Sequence, residues 1–183
     1  MNQNFQVQGM TCGHCERAVT QAVQRADPAA QVKIDRPAGK VEVQTTQPRE
    51  AIARAAHRIA PHVRRTPVVD VTVEGVALPV TLKLELLQHA GSFKSRGAFN
   101  TLLQASVGQG GVATASGGNH GAAVAYASRQ LGHRAKIFVP EISSPAKVAR
   151  IASYGAEVVQ KGANYSAALA LCEAWIAESG ASG

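Results

Sequence analysis

The sequence is poor in aromatic residues, cysteine and long apolar runs, and each shortage excludes a class of protein. Aromatic residues make up only 4% of the 183 residues, so a hydrophobic core has to be built from aliphatic side chains. Three cysteines are too few for a disulfide scaffold in a chain of this length, and we expect thiols in a cytoplasmic protein. No apolar run approaches the length of about 18 residues that a membrane-spanning helix needs. Met1–Asn4 shows neither the basic nor the apolar region of a secretory signal.

The net charge is +7, but the basic residues are scattered and do not form a nucleic-acid surface. The densest group is Arg54, Arg58, Arg64 and Arg65, and few aromatic side chains are available to stack on bases. We therefore expect neither a nucleic-acid nor a membrane partner. A basic surface exposed to solvent, or a site for an anionic metabolite or cofactor, accounts for the charge.

Residues 1–60 have the pattern of a small α+β module. Apolar residues alternate where strands are expected and recur every three or four residues where helices are expected. The elements predicted in this way are a strand at 5–9, a helix at 18–26, a hairpin of strands at 32–34 and 41–43, and a helix at 51–59.

From residue 66 onward, short apolar strands alternate with helices. The predicted strands lie at Val68–Val73, Pro79–Glu85, Gly111–Ala115, Ala135–Pro140 and Glu157–Gln160, and the helices at 94–105, 119–131, 145–154 and 164–178. This alternation predicts parallel pairing and a doubly wound α/β fold. We place the first domain at 1–48 and the second at 49–183, with the helix at 49–60 shared by both. No strand is predicted after the last helix.

Cys12 and Cys15 are three residues apart, at the point where the first predicted strand gives way to a helix. This spacing turns both sulfur atoms to one side, and the helix N-terminus favours the thiolates. Two thiolates suit Cu(I), or a rapidly exchanging Zn²⁺, better than a structural site with four protein ligands. A redox pair and two buried cysteines are the alternatives for an isolated C-x-x-C motif.

The whole string Gly9-Met10-Thr11-Cys12-Gly13-His14-Cys15 resembles the heavy-metal-associated domain of copper chaperones and metal-transporting ATPases. The resemblance covers residues 3 to about 60 and implies a ferredoxin-like module in which Cys12 and Cys15 bind Cu(I) between them. The fourth strand with which that family closes its sheet is missing from the predicted elements, because the second helix runs into Pro61.

A second candidate site begins at Ser92-Phe93-Lys94-Ser95-Arg96-Gly97, between a predicted strand and a predicted helix. The dipole at a helix N-terminus disfavours the cation of Lys94, and a neutral amine is the form that makes an imine. An exposed surface lysine is the alternative for an isolated S-x-K string.

The string Ser116-Gly117-Gly118-Asn119-His120-Gly121 follows a predicted strand and opens the next helix. Its glycines allow backbone N–H groups to approach a carboxylate or phosphate closely, and the helix N-terminus favours the anion. Ser116 and Asn119 add neutral hydrogen-bonding side chains. A nucleotide site is the alternative for a glycine-rich turn in this position.

Together these two strings resemble the fold-type II pyridoxal-phosphate enzymes, specifically the serine/threonine dehydratases (threonine ammonia-lyases). The resemblance runs from about residue 50 to the C-terminus and includes Arg65-Thr66-Pro67, Lys83-Leu84-Glu85 and Tyr154-Gly155-Ala156-Glu157-Val158. It implies pyridoxal 5′-phosphate as the cofactor. It also implies that Lys94 is the Schiff-base lysine and the base that removes the substrate Cα proton.

The same resemblance implies the roles of the remaining site residues. Phe93 packs against the cofactor, Asn119 hydrogen-bonds its phenolic oxygen, and Ser116, Gly117 and His120 hold the substrate carboxylate. Gly117 stands where related serine racemases carry a second serine, which favours elimination over racemisation. The implied reaction converts L-threonine or L-serine to a 2-oxo acid and ammonia.

The resemblance does not extend to the second half of that family, which contains its glycine-rich phosphate loop. The first hypothesis is therefore a serine/threonine dehydratase, represented by an incomplete chain, that carries an N-terminal copper-binding module. The alternative is a copper- or heavy-metal-binding protein with a non-catalytic dehydratase remnant, and a mis-joined product without function is a third. A homo-oligomer or a complementing subunit is compatible with the first hypothesis.

Overall fold

A computed structural model describes residues 2–6, 20, 23, 29–35, 40–44, 49–72 and 80–183 of the chain. The chain divides into two compact units, Met1–Arg54 and Ala55–Gly183. The domain boundary expected between residues 48 and 49 stays a prediction. Over the described ranges, no helix is both long enough and apolar enough to cross a membrane.

The first unit contains an antiparallel sheet with the strand order β1-β3-β2. The strands are β1 (Asn2–Gln6), β2 (Gln31–Asp35) and β3 (Lys40–Gln44). Phe5 and Ile34 both lie opposite Val41, which makes β3 the central strand. Val41 and Val43 form a small core with Ala30, as alternating residues of a half-buried strand do.

The predicted hairpin is confirmed, whereas the first strand begins earlier than expected. β2 and β3 pair antiparallel in the predicted positions. The first strand is expected at 5–9, and the described residues Asn2–Gln6 pair with β3. Residues 7–9 and most of the helix predicted at 18–26 lie outside the described residues, although Thr20 and Val23 are helical.

The second unit begins within helix α1 (Arg49–Ile59), which continues as a 3-10 turn at Ala60–His62. Strands β4 (Val68–Val71) and β5 (Val80–Lys83) then pair antiparallel. The strand predicted at Pro79–Glu85 ends too late, because Glu85 opens a 3-10 turn instead. In that turn, the backbone N–H of Gln88 donates to the carbonyl of Glu85 at 3.1 Å.

A parallel sheet with the order β6-β7-β8 organises the rest of this unit. Its strands are β6 (Val112–Ala115), β7 (Ala135–Val139) and β8 (Glu157–Gln160). They alternate with the helices α2 (Lys94–Leu102), α3 (Asn119–Gln130), α4 (Pro145–Ser153) and α5 (Tyr165–Ser179). The predicted strand–helix alternation is confirmed, with helix ends shifted by up to three residues.

Different helices cover the two faces of the parallel sheet. Val112 and Ile137 belong to a core that contains the buried residues of α3. Ala113 and Phe138, their neighbours in sequence, pack instead with Cys172 of α5. Since neighbouring residues of a strand point to opposite faces, the sheet is buried on both sides. The predicted fold class, a small antiparallel module followed by a doubly wound α/β fold, is confirmed.

The residues after α5 pair with the free edge of β6, which the sequence did not predict. Ser182 forms a parallel bridge with Val112. Its N–H donates to the Gly111 carbonyl at 2.9 Å, and its carbonyl accepts from the N–H of Ala113 at 2.8 Å. Gly180, in the left-handed region at φ 66°, ends α5 and turns the chain toward β6.

Candidate functional site

Lys94 is carried by residues 85–96, which we name the lysine segment. The segment consists of two 3-10 turns, Glu85–Leu87 and His89–Gly91, followed by the start of α2. Ala90 (φ 53°) and Gly91 (φ 63°) lie in the left-handed region, and Ser92 returns to an extended conformation. This reversal makes Lys94 the first helical residue of α2, as the sequence predicts.

Glu85 fixes the amino end of the lysine segment. Its carboxylate accepts hydrogen bonds from Arg96 Nε (2.9 Å), Arg96 Nη2 (2.7 Å) and Thr66 Oγ1 (2.5 Å). The hydrogen bond from Arg96 is the main cause that lowers the pKa of the Glu85 carboxyl. Burial opposes it, and Thr66 and the charge of Lys83 add to it. A two-pronged arginine–carboxylate contact is directional, so it sets how α2 leaves the segment.

Gln88 connects the lysine segment to the chain before β4. This side chain is buried, and its Oε1 accepts from the N–H groups of Arg64 (2.9 Å) and His89 (3.0 Å). Its Nε2 donates to the Arg64 carbonyl at 2.8 Å. A buried amide that is satisfied at both ends selects one backbone conformation, so the segment has a defined shape before any ligand binds.

The amine of Lys94 has no acidic partner among the described residues. Its Nζ lies 5.3 Å from the centre of the Phe93 ring, and it forms none of the ion pairs in this part of the chain. Phe93 itself is 59% exposed, although it is a large apolar side chain. An amine without a carboxylate partner, beside an uncovered aromatic ring, is available to a ligand.

The predicted anion site, residues 116–121, is named the glycine turn. It connects β6 to α3, and the N–H of Gly118 donates to Ser116 Oγ at 3.3 Å. A Cβ atom at Gly121 would lie 2.1 Å from the Ser116 carbonyl oxygen, so only glycine allows α3 to start this close to the strand. Asn119 and His120 are exposed in the first turn of α3, and His120 Nε2 lies 3.3 Å from Thr114 Oγ1.

The glycine turn lies at the carboxyl edge of the parallel sheet, where open α/β sheets bind ligands. A Cβ atom at Gly117 would lie 2.4 Å from Ser143 Oγ, in the loop after β7. That loop contacts the loop after β8, because the N–H of Glu141 donates to the Gly162 carbonyl at 2.9 Å. The loop after β7 therefore connects the glycine turn to the loop after β8.

The helices that begin with Lys94 and Asn119 pack against each other. Phe99 of α2 and Tyr126 of α3 make an edge-to-face contact with ring centres 6.0 Å apart. Tyr126 also stacks on His89, with its hydroxyl 3.0 Å from His89 Nδ1. No hydrogen bond joins Lys94 to Asn119 in the described part of the chain, so a shared cofactor stays a prediction.

Cys12 and Cys15 lie outside the described residues, so the metal site also stays a prediction. Within the described ranges, no group of three or more metal-binding side chains occurs. Cys172 is buried against β6 and β7, and burial raises the pKa of its thiol. The raised pKa agrees with the position of Cys172 in the hydrophobic core between α5 and the parallel sheet.

The open cavity of about 390 Å³ in the second unit contains none of the predicted site residues. It lies at the amino-terminal edge of the parallel sheet, opposite the glycine turn. Its lining residues are Gln109, Gly110, Arg134, Ala135, Lys136, Glu157, Trp175 and Ser179. This cavity is therefore separate from the predicted site residues.

Three residues that shape the site were not predicted from the sequence: Gln88, Tyr126 and Arg150. Arg150 of α4 donates to the carbonyl of Ala90, 60 positions earlier in the chain. No local pattern predicts a contact over such a separation. Gln88 lies between the predicted strand and the predicted helix, and nothing in its local sequence marks it as a contact residue.

Two family models match the chain. Residues 59–182 match the family described as pyridoxal-phosphate dependent enzyme, which is more than half of the sequence. Residues 4–62 match the heavy-metal-associated domain. Both resemblances noted from the motifs are confirmed.

The relatives include enzymes that are named as dehydratases of phenylserine or threonine. A phenylserine dehydratase of Ralstonia pickettii is 49% identical over 115 residues, which is 60% of this chain and 35% of the relative. A putative threonine dehydratase of Sinorhizobium fredii is 42% identical over 137 residues, 73% of this chain and 41% of the relative.

Solved structures of this kind are similar in fold as well as in sequence. A maize serine racemase has a TM-score of 0.68 and is 36% identical in sequence. The match covers 73% of this chain and 42% of the racemase chain. A threonine deaminase of T.th. has a TM-score of 0.64 at 36% identity, over 72% and 42% of the two chains. The chain thus spans 35% to 42% of the length of these four relatives. The match over residues 59–182 shows that the chain belongs to the pyridoxal-phosphate dependent enzymes and carries a heavy-metal-associated domain before it.

Proposed function

We propose that the chain supplies the lysine-bearing part of a pyridoxal-phosphate dependent ammonia-lyase that converts L-threonine or L-serine to a 2-oxo acid and ammonia. The observation that carries the proposal is the amine of Lys94, which begins α2 and has no acidic partner among the described residues. The printed names of the dehydratase relatives support the same reaction class.

The donor set of the lysine segment and the glycine turn fits this cofactor. Lys94 offers an amine, and Phe93 offers an exposed ring face. Ser92 Oγ is buried without a hydrogen-bond partner, so a polar group stands unused two residues before Lys94. The N-terminus of α3 presents backbone N–H groups to an anionic oxygen.

When bound, pyridoxal phosphate supplies an aldehyde that bonds to amines and a conjugated ring that accepts electrons. Lys94 would hold the cofactor through its amine and would later remove the proton from the substrate Cα. Phe93 would pack against the ring, and Asn119 would donate a hydrogen bond to the phenolic oxygen. These residues position the reacting groups, which is the contribution expected of the protein.

The substrate carboxylate would bind at the glycine turn. Ser116 and His120 offer polar side chains, and the N-terminus of α3 favours the negative charge. Gly117 presents no side chain to the ligand, and Ser143 Oγ fills the space that a Cβ would need. A group that delivers a proton from the opposite face is therefore missing at this position, which favours elimination over racemisation.

Borohydride trapping after incubation with pyridoxal phosphate tests the proposal. We expect peptide mass mapping to find the label concentrated on Lys94, because this amine belongs to an ordered site. Lys147, which is exposed on α4, provides the matched control. The Lys94→Arg variant should lose the labelled peptide, while Lys147→Arg should keep it. An even distribution of label over all lysines would contradict the proposal.

A second function is favoured by the match of residues 4–62 to the heavy-metal-associated domain. We propose that Cys12 and Cys15 bind one soft metal ion, Cu(I) or Zn²⁺, through their thiolates. Cu(I) should bind at one equivalent against a competing chelator, and Cys12→Ala should abolish this binding. Cys172→Ala, which removes a buried thiol elsewhere, is the control and should bind normally. Unchanged affinity in Cys12→Ala would rule out the site.

We also propose that the chain is cytoplasmic. We further propose that it assembles with a second copy of itself or with a complementing subunit. Sedimentation of the purified chain, with and without pyridoxal phosphate, measures the oligomeric state directly. A monomer under both conditions would exclude the homo-oligomer.

A further inference from the structure

Ala90 holds a backbone conformation that is unfavourable for any residue with a Cβ atom. Its φ of 53° and ψ of 21° place it in the left-handed region, and it is the only non-glycine residue with positive φ in the described part of the chain. Such a conformation persists only where the surroundings impose it, and it is often found at functional sites. Here it occurs four residues before Lys94.

The guanidinium of Arg150 contacts this strained turn directly. Its Nη2 donates a hydrogen bond to the carbonyl of Ala90, a residue that is buried. Gly91 makes the contact sterically feasible, since a Cβ atom at Gly91 would lie 2.7 Å from the same Nη2. A buried carbonyl needs a partner, and the partner of Ala90 comes from a different helix.

The neighbouring carbonyl is held by a different helix. Ser95 Oγ, in the first turn of α2, donates to the carbonyl of His89. The two successive carbonyls of the left-handed turn are thus bound by α4 and by α2. Lys94 follows Ala90 and lies between His89 and Ser95, the two ends of the second hydrogen bond, so its backbone position depends on both contacts.

We propose that Arg150 is a positioning residue for Lys94. By holding the Ala90 carbonyl, Arg150 keeps the Ala90–Gly91 turn left-handed and so places the N-terminal end of α2. The role rests on the proposed function of Lys94, because positioning matters only if that amine binds the cofactor. Arg150 acts through the Ala90 carbonyl and not through contact with the amine.

Hydrogen–deuterium exchange and borohydride trapping, measured on the same variants, test the role. In Arg150→Ala, the backbone amides of residues 89–96 should exchange about tenfold faster than in the wild type. A factor of about ten corresponds to the smallest free energy expected for a hydrogen bond from a charged donor. The yield of pyridoxal-phosphate label on Lys94, relative to Lys147, should fall by a similar factor. Arg129→Ala is the matched control, because Arg129 also donates to a backbone carbonyl, that of Ser153.

A second substitution separates positioning from general support. Glycine adopts the left-handed region without strain, so in an Ala90→Gly background the Arg150→Ala change should alter exchange and labelling less than twofold. Unchanged exchange in Arg150→Ala would overturn the role, and so would faster exchange with unchanged labelling of Lys94. A wild-type chain with no preference for Lys94 would instead refute the proposed function, and the positioning role with it.

Discussion

The lysine segment is held by side chains, whereas the glycine turn is held by backbone atoms in close contact. In the lysine segment, the hydrogen bonds come from side chains: Arg96 donates to Glu85 within the segment, and Gln88 donates to the carbonyl of Arg64, 24 positions earlier. In the glycine turn, a Cβ atom at Gly121 would lie 2.1 Å from a carbonyl oxygen. Both arrangements place the N-terminus of a helix, but they respond differently to change.

Side-chain contacts can be lost one at a time, and each loss has a moderate cost. Backbone atoms in close contact leave no space for a new side chain, and the main chain cannot move away cheaply. We therefore expect a steep effect of substitution where the glycine turn packs against backbone, at Gly121, and graded, pH-dependent effects in the lysine segment.

The largest effect is expected for Gly121→Ala. The added Cβ would meet the Ser116 carbonyl at 2.1 Å and Ile137 Cγ2 at 3.1 Å, so α3 has to shift away from β6. We expect a loss of about 3 kcal/mol or more in the free energy of unfolding, measured by urea denaturation. Gly97→Ala is the control: its Cβ meets nothing within 4 Å, and alanine is the better helix former. Equal losses of unfolding free energy in Gly121→Ala and Gly97→Ala would contradict the idea that close backbone contact holds the glycine turn.

The next largest effect is expected for Glu85→Gln in the lysine segment. The substitution removes the ion pair with Arg96, whose charge then stays partly buried, and should cost about 2 kcal/mol of unfolding free energy. Glu157→Gln removes the ion pair of an exposed carboxylate with Lys136 and should change stability by less than about 0.5 kcal/mol. A smaller effect at Glu85 than at Glu157 would contradict the anchoring role of the Glu85 carboxylate.

The same carboxylate predicts a pH dependence. Because the pKa of Glu85 is lower in the folded chain than its usual value of 4.5, the unfolded chain binds the proton more readily. This contribution to stability is present above pH 4.5 and is lost as the pH falls through the folded pKa. Unfolding measured between pH 6 and about pH 3 should therefore show a steeper decline for the wild type than for Glu85→Gln.

A smaller effect is expected for Gly117→Ala, because the added Cβ meets a side chain rather than the backbone. Ser143 Oγ lies 2.4 Å from the Cβ position and can rotate away, while Ser143 Cβ lies at 3.3 Å. We expect a loss of about 1 kcal/mol, largely restored in the double variant with Ser143→Gly. Purely additive effects in the double variant would show that Ser143 is not the obstacle.

The smallest effect concerns His89 at the centre of the lysine segment. Burial, and then the charge of Arg64, lower the pKa of its imidazole below 6.5. Stability from the neutral ring is thus present above pH 6.5 and is lost as the pH falls below it. An NMR titration should find the His89 pKa below 6.5 and find it raised in Arg64→Gln. A His89 pKa above 6.5 would contradict this placement of the ring.

Local patterns were sufficient to predict most of the described helices and strands but not the contacts that hold the site. Periodicity placed the β2–β3 hairpin and α2 to α5 to within three residues, because burial of one face dictates the spacing of apolar residues. It placed Glu85 in a strand, since a 3-10 turn of three residues has no period to detect. The roles of Lys94 and Asn119 stay predictions, and so does the metal site at Cys12 and Cys15.

The sequence by itself determined the membership in the pyridoxal-phosphate dependent enzymes, the match to the heavy-metal-associated domain, the fold class and the helix starts at Lys94 and Asn119. These follow from motifs and apolar spacing, which are local properties of the chain. Only the tertiary structure decided that Gln88 joins Arg64, that Arg150 reaches Ala90, and that Ser182 pairs with Val112. Each of these contacts joins residues at least 24 positions apart. Hydrogen bonds over such separations depend on how the helices and strands pack, and no local pattern records that packing.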